Sequence, residues 1–491
     1  MSQQHLDRLS AVDAGFLAQE GPTTHMHIGG VALFDGEPPG LGEFLEHIGS
    51  RLHLVPRYRQ KLAFPPLGTG RPLWVDDPTF NLAYHVRHSA LPAPGSERAL
   101  LDLTARIFSQ PLDRTKPLWE LWLVEGRESG GFALIAKTHH SLVDGISGLD
   151  LTSVLFDLSE ETVHAEAPAE PWAPQPEPSA ASLAAAGLAG AARTAVEVAS
   201  GTAAAAASPQ ELLDRAREVA AGIGEVAWAG INAPPPTPFN VPPGPHRRIR
   251  FVRAGLDEFK AVKDALGGTV NDAVLAVVTG GLAYFLQARG QDTAGLELRA
   301  CVPVSVRTEA QAGGLGNQLT QILAPLPVGI DEPVARLRYV RDAMRDLKES
   351  RQALGAKAIA AAQDFAPPTI MAQASRLTFA GRFYNVLVTN VPGPQFPLYI
   401  LGRRLDAMFP IAFLAGDRAL AVAIMSYDGG MNFGLIGDYD ALPDLDVIAE
   451  GIEGSLAALT AAARKAQRTE ARKARRRAAP AKASPRGRTA S

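Results

Sequence analysis

Apolar positions first organise at Met26 to Phe34, where "MHIGGVALF" reads as a strand. From Leu41 the period changes. Phe44, Leu45, Ile48 and Leu52 recur at helical spacing within "LGEFLEHIGSRLHLVPRYRQKL", which predicts a helix over 41–62. "LWELWLVEG" and "GFALIAKTHH" read as two strands joined by the turn-rich "RESGG", and "SLVDGISGLDLTSVLFDL" reads as a helix after them. Residues 1–158 therefore form an α/β unit. Residues 159–245 change character. "AEAPAEPWAPQPEPS" is Pro-rich, an Ala-rich stretch and "PQELLDRAREVAAGIGEVAWAGI" suggest two helices, and "APPPTPFNVPPGP" closes the segment. This is an interdomain connector with helical content. Residues 246–460 return to α/β patterning. "RRIRFVRAGL" is a strand, and "DEFKAVKDAL" is a helix with Phe259, Val262 and Leu266 on one face. "LRACVPVSVR" is a buried strand, and "NVLVTNVPGP" and "AVAIMSYDGGMNFGLIGD" carry strand character. The two units match in size and element types, without a sequence repeat between them. Residues 461–491 are Ala, Arg, Lys and Pro. Their first part extends a helix and the rest reads as a disordered tail.

Composition adds three points. A chain of 491 residues exceeds one ordinary core, which agrees with two lobes. The formal net charge of -3 hides an asymmetry. Residues 464–491 hold eleven Lys/Arg against Glu470 alone, a local charge of +10, so the remainder carries -3 less 10, or -13. The single cysteine, Cys301, excludes an intrachain disulfide and fits a reducing compartment. The N-terminus has no basic region followed by an apolar stretch, and no long uncharged apolar run reads as a membrane span. A cytoplasmic setting is expected, with peripheral contact at an inner membrane face or a lipid inclusion.

The densest chemistry lies in "AKTHHSLVDGISG", Ala136 to Gly148. His139 and His140 end a predicted strand, where neighbouring side chains point to opposite faces, so one of them faces a given cleft. Asp144 stands at the start of the next helix, where the helix dipole favours a carboxylate. Gly145 and Gly148 permit close backbone approach. A neutral imidazole at a domain cleft suits general-base removal of a hydroxyl proton. No G-x-S-x-G nucleophile pattern accompanies it, so direct transfer onto an acceptor alcohol is the implied reaction. Adjacent histidines converge poorly on one ion and no H-E-x-x-H pattern is present, so no metal is expected.

His140-Ser141-Leu142-Val143-Asp144-Gly145 resembles the H-x-x-x-D-G motif of the chloramphenicol-acetyltransferase-like superfamily, which includes CoA-dependent acyltransferases, plant BAHD acyltransferases and peptide-synthetase condensation domains. The doubled His139-His140 narrows the resemblance to the bacterial wax ester synthase/diacylglycerol acyltransferases. "LSAVDAGFLAQEGPTTHMHIGG", "LPAPGS", "QPLDRTKPLWELWLVEG", "GGTVNDAVLAVV", "VPVSVR", "GNQL" and "NVPGP" resemble that family's motifs in order. The resemblance covers roughly 1–158 and 240–460. It implies an α/β fold of two chloramphenicol-acetyltransferase-like lobes, mixed sheets flanked by helices, with an active-site tunnel between them. It also implies an O-acyltransferase taking long-chain acyl-CoA as co-substrate, with no cofactor, and esterifying diacylglycerol or a fatty alcohol; the alternatives are a carrier-protein-dependent acyltransferase of the same superfamily and a non-catalytic lipid-inclusion binding protein.

Residue by residue, the resemblance makes His140 the catalytic base and Asp144 a brace of the site's backbone. Arg307, ending "VPVSVR", is the expected partner of Asp144, and His139 a supporting position. Asn271 matches the family's motif asparagine, whose amide would donate to the thioester oxygen as charge develops. Asp272 has a second reading. Thr269-Val270-Asn271-Asp272 opens an apolar-periodic helix and has the form of a capping box. Trp119, within Pro117-Leu118-Trp119, reads as core packing ahead of substrate contact. Gly316-Asn317-Gln318 follows a Gly-rich loop that could border the CoA side, and Ser426-Tyr427-Asp428-Gly429 reads as structural. The basic tail is either a solvated end or a contact for anionic lipid. Without interleaved aromatics it gives no support for nucleic acid as a partner.

Overall fold

In a computed structural model of the chain, residues 7–66, 70–142, 155–163, 165, 170–189, 192, 233–305, 319–347, 349 and 383–478 are described. Helix α1 (Ala11–Gln19) precedes strand β1 (His27–Phe34) and helix α2 (Leu41–Arg51). The predicted helix over 41–62 stops at Arg51. Pro56 pushes Val55 out of the helical region, to φ -129° and ψ 68°, and two short 3-10 turns followed by extended backbone from Gln60 replace the rest. A ribbon of β2 (Gln60–Ala63) and β3 (Leu73–Asp76), the one-turn helix α3 (Leu82–His85), β4 (Val86–Ala90) and helix α4 (Glu97–Ser109) follow. β5 (Trp119–Glu125) and β6 (Phe132–His139) complete the first unit. The second unit begins with β7 (Arg247–Gly255), α5 (Leu256–Leu266) and α6 (Val270–Ala288). It continues through β8 (Leu298–Ser305), β9 (Leu319–Leu326), β10 (Val386–Pro392), β11 (Tyr399–Ile400), β12 (Arg403–Ile411), β13 (Leu420–Tyr427), β14 (Gly430–Asp438) and α7 (Leu445–Ala478).

These strands make two mixed six-stranded sheets, ordered β11-β12-β1-β6-β5-β4 and β7-β14-β13-β10-β8-β9. The division at residue 246 therefore follows chain order and not sheet membership. β12 pairs antiparallel with β1, so the first sheet takes two strands from the C-terminal half. Alternation along β1 and β6 assigns the faces. Val31, Leu33, Ala133 and Ile135 enter a cluster shared with Phe251, Phe409 and Ala421 at the junction of the lobes. Ala32, Phe34, Phe132 and Leu134 enter a separate cluster on the sheet's other side. Helix α4 lies in the junction against β7. The sheets meet backbone to backbone at one point, where a Cβ on Gly434 would overlap the Pro410 carbonyl.

The second lobe's core surrounds α6, buried from Ala273 to Phe285 along most of its length. It is long and apolar enough to cross a membrane, but 78% of it is buried against the fold, as in a core helix. Helix α7 crosses it at Gly281 and Gly451, where a Cβ on Gly451 would stand 2.9 Å from the Gly281 Cα. Among the described residues the last buried one of α7 is Ala463. The helix continues to Ala478, within the first part of the tail, where the sequence predicts a helical extension. Its Ala, Arg, Lys and Gln residues are strong helix formers, which supports the extension.

Candidate active site

Strand β6 ends at His139, and His140 opens a 3-10 turn over His140–Leu142. The two histidines are thus separated by a change of backbone conformation and not by strand alternation alone. His139 continues the face of Ile135 and Lys137, towards α4. Lys137 is fully buried, and its Nζ donates to the carbonyls of Ile107 (3.0 Å) and Gln110 (3.1 Å) at the α4 C-terminus, where a cation offsets the helix dipole. His139 sits opposite His27 in the β1–β6 register. The His140 N–H donates to the Met26 carbonyl at 2.8 Å, which ties the turn to the start of β1.

The His140 ring stacks on Phe16 of α1 with centroids 4.0 Å apart, and Phe413, just beyond β12, meets it edge-on at 5.8 Å. An imidazolium between two phenyl rings lacks water. Burial, followed by the neighbouring His139, pushes the His140 pKa down to about 4, against a weak opposing pull from its own backbone. The ring is therefore neutral at physiological pH. Among the described residues its Nδ1 is buried without a hydrogen-bond partner.

His139 is held from both ends. Its Nδ1 accepts from the Ser141 N–H at 3.1 Å and lies 2.6 Å from Ser141 Oγ. Its Nε2 lies 3.3 Å from the Glu20 carboxylate. Backbone donation to Nδ1 leaves the ring proton on Nε2, facing that carboxylate. Glu20, just past α1, also accepts from the Met26 N–H at 3.0 Å and from Arg114 Nε at 3.1 Å, and stands 3.7 Å from His27 Nε2. Burial alone would raise its pKa. Hydrogen bonding to His139, then to Arg114 and the Met26 N–H, holds it well below the usual carboxylate range. His25 stacks on His27 at 5.2 Å. Burial, then the charge of Lys137, pushes His27 well below the ordinary histidine value. One carboxylate thus faces His139 and His27, with His25 stacked behind, at the junction of the lobes.

Asn271 lies in the first turn of α6. Its Oδ1 accepts from Asn390 Nδ2 of β10 at 3.3 Å, so the Asn271 amide group keeps its nitrogen as the donor. No hydrogen bond among the described residues joins Asn271 to His140. Asp272 makes the capping box. Its Oδ2 accepts from the Thr269 N–H at 2.8 Å, and its own N–H donates to Thr269 Oγ1 at 3.2 Å. Trp119 is core, 1% exposed, with its indole N–H on the Tyr58 carbonyl and its ring on His85. Asp428 and Gly429 take positive φ in the two-residue β13–β14 turn, so that motif is structural. Asp144, Gly145, Arg307 and Gly316-Asn317-Gln318 lie outside the described residues.

Glu20, Phe16, Phe413 and Asn390 escaped the sequence reading. "HMH" carried one usable signal. Histidines two apart on a strand share a face, so His25 and His27 call for a buried polar partner. Nothing local identified Glu20 as that partner.

Residues 9–274 match the model of the wax ester synthase/diacylglycerol acyltransferase catalytic domain, and residues 315–460 match the WS/DGAT C-terminal domain. A putative diacylglycerol O-acyltransferase of Mycobacterium tuberculosis is 35% identical, covering 92% of this chain and 89% of its own. A probable diacylglycerol O-acyltransferase of the same species is 32% identical, covering 95% and 98%. The solved wax ester synthase/diacylglycerol acyltransferase from Marinobacter aquaeolei VT8 superposes with a TM-score of 0.66 at 27% identity, over 93% of this chain and 99% of that one. A starter condensation domain of rhizomide synthetase shares the fold, with a TM-score of 0.55 at 13% identity over 94% of each chain. Fold and site together define a two-lobed acyltransferase. The chain belongs to the wax ester synthase/diacylglycerol acyltransferase family.

Proposed function

We propose that the enzyme transfers a long-chain acyl group from acyl-CoA to the free hydroxyl of diacylglycerol, giving triacylglycerol, and takes a fatty alcohol as a second acceptor, giving wax ester. The observation that carries this reading is the neutral His140 packed between Phe16 and Phe413, in a chain aligned nearly end to end with relatives named for diacylglycerol acylation. The His140 ring nitrogen takes the hydroxyl proton as the oxygen attacks the thioester carbonyl. The Asn271 amide, oriented by Asn390, donates to the oxygen that becomes negative. Collapse breaks the C–S bond, and the departing thiolate takes the proton back from the imidazolium. Acyl-CoA is the co-substrate, and these proton and acyl transfers call for neither metal nor redox cofactor.

The setting fits cytoplasmic acyl-CoA and a lipid acceptor, with the enzyme held peripherally at a membrane or inclusion surface. The basic end of α7 supports that contact. Each basic residue near an anionic surface adds up to about 1 kcal/mol. Purified enzyme with long-chain acyl-CoA and either diacylglycerol or hexadecanol is expected to release CoA and form the matching ester. His140→Ala should lose about two to four orders of magnitude. Equal CoA release by wild type and His140→Ala would overturn the base assignment.

A further inference from the structure

Outside this site, one cavity breaks the acidic balance of the body. It measures about 430 Å³ and opens where α4 of the first lobe meets the start of β7 in the second. Arg98, Arg106, Arg247, Arg248, Arg250 and His246 line it, with Asp102 as the acidic residue of the wall. Two of the five guanidiniums are neutralised. Arg98 Nε pairs with Asp102 at 3.0 Å, and Arg250 Nη2 bonds Asp446, outside the wall, at 2.9 Å. Arg106 is exposed and makes no hydrogen bond or ion pair among the described residues. Arg248 is pre-oriented. Its Nε donates to the Tyr439 carbonyl at 2.9 Å and its guanidinium lies 3.8 Å over the Tyr439 ring. Arg247 is buried and spends its guanidinium on the carbonyls of Gly244, His246 and Thr23. Burial lowers the Arg250 pKa and the like charges of Arg98 and Arg248 lower it further, while Asp102 opposes them.

Five guanidiniums facing two carboxylates repel one another, and the remaining fold carries an excess of acids. An anion relieves that repulsion. Arginine forks match phosphate oxygens in particular. The cavity also adjoins the site. Arg247 donates its backbone N–H to Ser109 Oγ at the end of α4 (3.0 Å), and its guanidinium reaches Thr23 in the segment between Glu20 and His25.

We propose that this interlobe cavity is a binding site for a phosphate-bearing group of a lipid-pathway ligand, gripped by Arg106 and Arg248 over the floor made by Arg247. The same chemistry is offered by the bisphosphorylated nucleotide end of the acyl donor and by the headgroup of an anionic phospholipid at the surface that supplies the acceptor. The site rests on the acyltransferase reading for those two sources. Its occupancy, however, is measured without turnover, so the two ideas fail separately.

The test uses the full chain, as wild type and as Arg106→Ser/Arg248→Ser, a double variant that removes no buried side chain. Calorimetry with adenosine 3′,5′-bisphosphate reads the nucleotide source. Sedimentation with phosphatidylcholine vesicles, with and without phosphatidate, reads the headgroup source. Arg345→Ser, an exposed arginine elsewhere on the second lobe, controls for general charge. The proposal expects wild type and Arg345→Ser to bind at least one probe alike, and the double variant to bind it about a hundredfold more weakly, the loss of two charge-assisted contacts. The probe that weakens identifies the source. If neither probe binds, if the double variant binds both as wild type does, or if Arg345→Ser weakens binding equally, the cavity is not a phosphate site.

Discussion

A base with a pKa near 4 makes an unusual demand on the pH profile. An ordinary imidazole titrates near 6.5, and His140 is brought to about 4 chiefly by burial between two phenyl rings. The base works deprotonated. At about pH 5.5 an ordinary histidine would be roughly 9% neutral, and His140 roughly 97%, a ratio of about ten. The acid limb of kcat/KM should therefore fall near pH 4, with the rate at about pH 5.5 close to its plateau. Phe16→Ala opens one face of the ring to water and removes part of the desolvation. Its acid limb should move up towards 6.5, so that the variant loses rate at about pH 5.5 while matching wild type more closely at about pH 8. Phe16→Leu, which keeps the face covered, should leave the limb near the wild-type position. The assay is ester formation from labelled acyl-CoA in stopped samples, because thiol reagents respond to pH themselves. Folding must be followed in parallel. The unfolded His140 binds a proton below about pH 6.5 and the folded one does not until about 4, so this group removes stability as pH falls through that window. Glu20, depressed when folded, supplies stability above the ordinary glutamate value of about 4.5 that is lost as pH falls below it. A wild-type limb centred near 6.5 in folded enzyme, or an unmoved limb in Phe16→Ala, would refute the reasoning.

Glu20→Gln keeps the shape and removes the charge facing His139. Loss of a charge-assisted contact of about 1.5–3 kcal/mol should lower kcat by roughly ten- to a hundredfold with KM for acyl-CoA little changed, and Glu20→Asp should recover part of it. A pure rise in KM would count against this role. Asn271→Ala should lower kcat by about two to three orders of magnitude, and Asn390→Ala by less in the same direction; near wild-type rates would remove the oxyanion role. Asp272→Ala breaks the capping box and should cost about 1 kcal/mol in denaturant unfolding while kcat stays near wild type at permissive temperature. Deletion of 464–491 should weaken binding to anionic vesicles in a salt-dependent way, and unchanged binding would leave that segment a solvated end.

Local chemistry was readable from the chain, and non-local chemistry was not. The Asp272 cap was legible because all its partners lie within four residues. The β13–β14 hairpin was legible as strand-forming sequence around a glycine-rich turn. The wax ester synthase family, the two lobes and the motif histidines were legible from ordered motifs. Glu20 was not, because its meaning depends on His139, more than a hundred residues away, and on Arg114 between them. Phe413 needed the path of β12 to bring it to His140. The placement of β12 beside β1 could not be read from hydrophobic pattern, since both strands would satisfy either sheet. Helix α2 was overextended because its apolar period runs on across a proline that ends it.

That strand exchange has a consequence for how the protein is made. While the chain is being synthesised, β1 meets β6 early, but its other edge stays bare until residue 411 has emerged and β12 can pair with it. An edge whose two faces both belong to the core is a template for pairing with the wrong chain. The first lobe therefore cannot mature as the nascent chain's opening domain. Its sheet is finished by some of the last strands made, and a fragment ending between the lobes would leave β1 open to aggregation.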